Sequence, residues 1–168
     1  MTPDFMTAEC GIRQLYARFV DAVWRKDDAD FADLWAEDGE WKIATLHFKG
    51  REEVRAAFAK LLGACERVQF LPGPILLDLG TDGTATGRVN CTELAKFAAG
   101  GQGMNIGVYH DRYVFQDGRW LFKLKHFSLH YSGPMDLTAD LVTESPDFGS
   151  FPGFPAPDQP TYTRRAKA

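Results

Sequence analysis

The chain has 168 residues, 45% hydrophobic and 25% charged, the profile of one globular domain with enough apolar side chains for a core. Its net charge of −4 argues against nucleic acid and anionic membranes as partners, and no apolar run approaches the roughly 20 residues of a bilayer span. Three scattered cysteines (Cys10, Cys65 and Cys91) and an acidic opening, MTPDFMTAEC, argue against a disulfide framework, a zinc site or a signal peptide, and favour a cytoplasmic setting.

Ile12, Leu15, Tyr16, Phe19, Val23 and Trp24 recur at intervals of three and four, which predicts one buried face of a helix over 12–24. RKDDAD breaks it, and Asp28 or Asp30 is expected to cap a short second helix that buries Phe31, Leu34 and Trp35. Glu37-Asp38-Gly39 reads as the turn that ends it. Residues 40–48 alternate as a strand with Trp41, Ile43 and His47 on one side. A third helix follows Gly50, with Glu52 and Glu53 in its first turn and a stripe of Val54, Phe58, Leu61 and Leu62. The remainder reads as strands. Residues 67–79 are bent at Pro72-Gly73-Pro74, because proline cannot donate to a ladder. Residues 84–97 lead into the loop AAGGQG, and 104–116 and 119–131 form a hairpin around Asp117-Gly118. The segment after Gly133 is rich in proline and glycine and ends TRRAKA; residues 1–138 are expected to form the domain and 139–168 an irregular arm or tail.

Helices followed by long antiparallel strands form an α+β pattern, in which three helices cover a sheet curved into a cone. Five phrases occur in this order: IRQLYARFVDAVWRKDDADFADLWAEDGEW, FKGREEV, TATGRVNCTEL, YHDRYVFQDGRWLFK and LHYSGPMDL. Together, over residues 9–138, they resemble the SnoaL-like branch of the nuclear-transport-factor-2-like superfamily. The resemblance implies a cone-shaped curved sheet of mixed or antiparallel strands, an apolar pocket at its open end and a homodimer through the outer sheet face. Known activities of that family include polyketide cyclases, dehydratases, ketosteroid isomerases and epoxide hydrolases, beside non-enzymatic binding modules, so the fold locates a site without naming its reaction.

The dehydratase members carry a tyrosine and an aspartate five residues apart on the first helix, and the matching positions here are Phe19 and Trp24. The polar pair is missing. Tyr16 and Asp21 keep the spacing one turn earlier, but Asp21 falls on the solvent face, while Tyr16 lies in the apolar stripe and needs a buried partner for its hydroxyl. On the strand 84–97 the odd face, which includes Cys91, is apolar except for Glu93. A lone carboxyl there either has a raised pKa and serves as general acid or base, or sits at the rim paired with Arg112 or Lys125. Tyr109, Asp111 and Tyr113 share a face of the next strand, with His110 and Arg112 on the other, and the resemblance favours Tyr109 and Asp111 through the phrase G-x-Y-x-D. Asp111 can orient a histidine, act as base, or join a cross-strand ion pair. Simple alternation places His126 and His130 with Trp120 and Phe122, where a histidine suits proton transfer. Four histidines without ligand spacing argue against a metal, and no motif calls for a cofactor.

These readings converge on a cofactor-free pocket for a small, apolar, oxygenated molecule of polyketide, steroid or aromatic type, with acid–base isomerisation, dehydration or cyclisation as the expected chemistry. Glu93 or Asp111 would be the base, His126 the acid or oxyanion donor and Tyr109 a hydrogen-bond donor. Tyr16, Phe19, Trp24, Trp41, His47, Cys91 and His130 are the other candidate pocket residues. The alternatives are a module that binds without converting, and an association domain whose tail wraps a neighbouring subunit.

Overall fold

The computed structural model describes residues 3–136, so the expected tail at 139–168 lies outside the described residues. Helix α1 (Phe5–Arg25) begins two turns earlier than the apolar periodicity suggests, because the Asp4 carboxylate accepts the Thr7 amide at 2.8 Å and caps it there. It ends at Lys26, whose left-handed backbone (φ 56°) closes the last turn. Helix α2 (Asp28–Asp33) is capped by Asp27, one residue ahead of the expected Asp28 or Asp30.

Six strands follow or interleave: β1 (Trp35–Ile43), β2 (Leu46–Lys49), then helix α3 (Arg51–Gly63), β3 (Cys65–Leu79), β4 (Thr84–Phe97), β5 (Gln102–Gln116) and β6 (Arg119–Gly133). Glu37-Asp38-Gly39 lies inside β1 instead of ending a helix. The single strand expected at 40–48 is a hairpin, turned at Ala44 with φ 48°. The sheet order is β2-β1-β6-β5-β4-β3, antiparallel throughout except for the parallel pair β1–β6, and the three helices pack on its curved inner side. Asp117 and Gly118 form the β5–β6 turn with φ of 50° and 77°, the left-handed pair that suits strand twist.

The core is aromatic. Phe19 meets Phe31, Phe70 and Phe122 at centroid distances of 5.2–5.7 Å, and Phe31 stacks on Phe58 at 3.8 Å. Fully burying such a ring is worth about 1.5–3 kcal/mol, so this group joins the helices to the sheet. Two register shifts in the β5–β6 ladder matter most for the site. Tyr113 faces Phe122 while Arg112 faces Leu124, and Gly107 faces Leu129 while Ile106 faces Tyr131. Each bulge inserts one residue and reverses which side chains point inward.

Among the described residues no helix is long and apolar enough to cross a membrane.

Candidate functional site

Between the two bulges Lys125, Phe127 and Leu129 point into the cone, while Leu124, His126 and Ser128 point outward. Lys125 thereby lands directly across from Asp111, and Tyr16 reaches the same point from α1. The Lys125 ammonium donates to Asp111 at 3.0 and 3.3 Å and to the Tyr16 hydroxyl at 2.6 Å. Tyr16 in turn donates to Asp111, as does Tyr113 at 3.0 Å. Opposite Asp111 on β4 stands Gly87, where a Cβ would meet the Tyr113 ring at 3.0 Å, so the glycine makes room for that phenol.

This cluster is sealed: Lys125 is 0% exposed and Asp111 1%. Rings of Tyr109, Tyr16, Phe122 and Phe19 surround the ammonium at 4.0, 4.2, 4.4 and 4.9 Å. Burial pushes the Asp111 carboxyl up and the Lys125 ammonium down, each opposed by the attraction of the other. Of the roles open to Asp111, the cross-strand ion pair is the one formed.

Above it opens a cavity of about 670 Å³ at the mouth of the cone, within the range of small-molecule sites. Trp41, Phe70, Cys91, Glu93, Asn105 and Tyr109 are among its walls. Tyr109 separates the cavity from Lys125, and the Trp41 indole donates to its hydroxyl at 3.4 Å. Glu93 accepts the Asn105 amide at 3.2 Å from the facing position of β5, and is not paired with Arg112 or Lys125. Burial raises the Glu93 carboxyl, with the Asn105 bond pulling the other way; burial also pushes the Cys91 thiol up to about 12 and the Tyr109 phenol well above its usual value. No lysine, arginine or histidine is among the described residues that line the cavity.

The expected residues therefore separate into groups. Trp41, Cys91, Glu93 and Tyr109 share the cavity; Asp111 and Tyr16 lie beneath its floor, and Phe19 is core. The other four are corrections. His126 faces outward opposite His110, with ring centroids 6.4 Å apart, because the first bulge reverses the alternation. His130 occupies the second bulge and does not line the cavity. His47 pairs with Lys42 in register and bonds Glu40 at 2.7 Å, on the face opposite Trp41, because the hairpin turn shifts its parity. Trp24 is 49% exposed, beneath the Arg67 guanidinium at 5.2 Å, since it lies off the face that the helix buries through Ile12, Tyr16, Phe19 and Val23. Lys125 and Asn105 are the residues missed as parts of the site. A parity argument cannot find Lys125 without the bulge, whereas Asn105 was within reach from the pairing of Glu93 across the β4–β5 hairpin. Among the described residues no group of three His, Cys, Asp or Glu side chains gathers to hold a metal.

No curated protein matches the chain. Three of the solved structures that share its fold illustrate the likeness. A type 2 hexachlorocyclohexane dehydrochlorinase (LinA) is 20% identical, with a TM-score of 0.72 over 77% of this chain and 90% of its own. The LinA-type3 dehydrochlorinase of Novosphingobium barchaimii LL02 is 18% identical, with a TM-score of 0.71 over 82% and 95%. A function-unknown protein of Mycobacterium tuberculosis, Rv3472, solved as a single-site variant, is 26% identical, with a TM-score of 0.65 over 71% and 70%. The SnoaL-like domain model matches residues 5–126, and with the cone, its mixed sheet and its apolar mouth in view, the chain belongs to the SnoaL-like family.

Proposed function

We propose that the cone binds a small, apolar, oxygenated molecule of polyketide, steroid or aromatic type, and that Glu93 carries proton transfer on it. The observation behind this reading is a carboxyl group on a cavity wall whose other described residues are uncharged, raised in pKa by burial and held by Asn105. Ionised, Glu93 takes a proton from a carbon beside a ligand carbonyl. Protonated, it returns that proton to another carbon in an isomerisation, to the alkoxide left when the deprotonated carbon bonds to a second carbonyl carbon in a cyclisation, or to a leaving hydroxyl, which departs as water in a dehydration. The carbonyl receives the electrons, so the chemistry asks for no cofactor. Tyr109 supplies a hydrogen-bond donor at the cavity floor. Asp111 supports that floor as an ion pair, and His126 has no part in the chemistry.

The test is exchange of the α-hydrogens of β,γ-unsaturated and β-hydroxy ketones in deuterated water, followed by NMR. Glu93→Gln is expected to slow exchange at least ~100-fold, the lower range of general acid–base contributions. Equal exchange by the wild-type and Glu93→Gln proteins would sink the assignment.

A second reading, binding without conversion, is favoured by the dispersal of the polar groups. Glu93 and Asn105 face each other near the mouth, while Tyr109 lies two register steps deeper. Ligand binding with no exchange in the wild-type protein selects it. A homodimer through the outer sheet face belongs to the same proposal. It is supported by exposed Leu71 and Leu76, and a monomer mass by light scattering would contradict it.

A further inference from the structure

The cavity presents hydrogen-bonding groups at two levels and apolar surface between them. Near the mouth, Glu93 and Asn105 stand opposite each other on β4 and β5. At the floor, Tyr109 faces Val89, and its hydroxyl accepts from Trp41. A phenol oxygen that accepts one bond still has its own proton to give, and no described acceptor takes it. The step between the levels is occupied by Cys91 opposite Gly107. Asn105 and Tyr109 are four residues apart on one strand, which sets their Cα atoms about 14 Å apart at 3.4 Å per residue. Gly107 keeps the intervening wall open, because a Cβ there would collide with the Ser128 carbonyl and the Phe127 ring.

The charge pattern is one-sided. Among the described residues that line the cavity, Glu93 is the only acidic one and none is basic. An anion placed here would leave water for a low-dielectric site with a carboxyl neighbour and no counter-charge. The Lys125 ammonium does not compensate, since it is sealed behind Tyr109 and spent on Asp111 and Tyr16.

We propose that the cavity selects an elongated, uncharged molecule carrying an oxygen function at each end, one for Tyr109 at the floor and one for the Glu93–Asn105 pair at the mouth, and that it rejects the corresponding carboxylate. This deepens the reading under Proposed function and rests on it.

The test is calorimetric titration of the whole chain at pH 7 with three rigid probes of one shape: para-phenylphenol, para,para′-dihydroxybiphenyl and para-hydroxy-para′-carboxybiphenyl. The dihydroxy compound is expected to bind at least tenfold more tightly than the single phenol, and the carboxylate at least tenfold more weakly than the dihydroxy compound. Tyr109→Phe should erase the advantage of the second hydroxyl, while Glu93→Gln should narrow the gap to the carboxylate. Equal affinities for the two phenols, or a carboxylate that binds as well as the diol, overturn the inference and leave the cavity a binding site. If none of the three binds, the pocket reading falls along with it.

Discussion

Asp111→Asn isolates the buried ion pair, because it preserves the shape of the side chain and removes only its charge. The substitution leaves the Lys125 ammonium 0% exposed, with the Tyr16 hydroxyl and the rings of Tyr16, Phe19, Tyr109 and Phe122 around it but no anion. Removing one partner of a buried pair costs about 3–5 kcal/mol. There is an independent ceiling, since Lys125 can escape by giving up its proton. Discharging a lysine with an ordinary pKa near 10.4 at pH 7 costs about 4.6 kcal/mol, at about 1.36 kcal/mol per unit. The two figures agree, and the expected loss at pH 7 is about 4 kcal/mol, or a fall in Tm on the order of 10 °C. The sign with pH follows from the depressed ammonium. In the variant the unfolded chain binds a proton at Lys125 that the folded chain does not, so stability rises with pH by about 1.4 kcal/mol per unit up to roughly pH 10. Urea unfolding followed by tryptophan fluorescence at pH 7 and pH 9.5 measures both. Asp111→Asn combined with Lys125→Met should recover at least ~2 kcal/mol of the single-variant loss. A cost below ~1 kcal/mol, or one independent of pH, would refute the claim that a charged pair is buried here.

Three further outcomes are expected. The raised carboxyl of Glu93 means that the folded chain keeps a proton the unfolded chain has already lost. Stability should therefore fall as pH climbs from the ordinary glutamate value to the elevated one, by about 1.4 kcal/mol for each unit of elevation, and Glu93→Gln should flatten that slope in urea titrations. Gly107→Ala drives a methyl group into the Ser128 carbonyl and the Phe127 ring; a loss of about 1–3 kcal/mol is expected in chemical denaturation, with weaker binding of any cavity ligand. Asp27→Ala removes the acceptor for the Asp30 amide at 2.9 Å and should cost about 1 kcal/mol by the same assay, with the cavity unaffected.

How much of the site could be read beforehand depended on whether alternation held. From Thr84 to Phe97 it holds without interruption, so Cys91 and Glu93 were placed correctly on the inner face, and Tyr109, Asp111 and Tyr113 likewise on the next strand. On β6 it fails twice, and a bulge has no local sequence mark as clear as Asp117-Gly118. One inserted residue moved His126 outside and Lys125 inside, which exchanged a supposed catalytic histidine for a structural cation. The same error recurred at His47, where a two-residue turn divides what looked like one strand.

The sequence by itself determined the three helices, the four long strands and their order, because those depend on periodicity, capping residues and turn chemistry that act over a few neighbours, and its phrases carried the family resemblance. It also settled that Tyr16 would need a buried partner, since a phenol in an apolar stripe cannot leave its hydroxyl unbonded. The tertiary structure alone decided which partner that is. Asp111, Tyr113 and Lys125 meet Tyr16 from sites 95 to 109 residues away, through a strand register that only the closed sheet defines. The division of acidic groups has the same origin. Asp111 and Glu93 look alike in the chain, but the fold neutralises one with an ammonium and leaves the other facing an apolar cavity, where burial acts on it without a counter-charge.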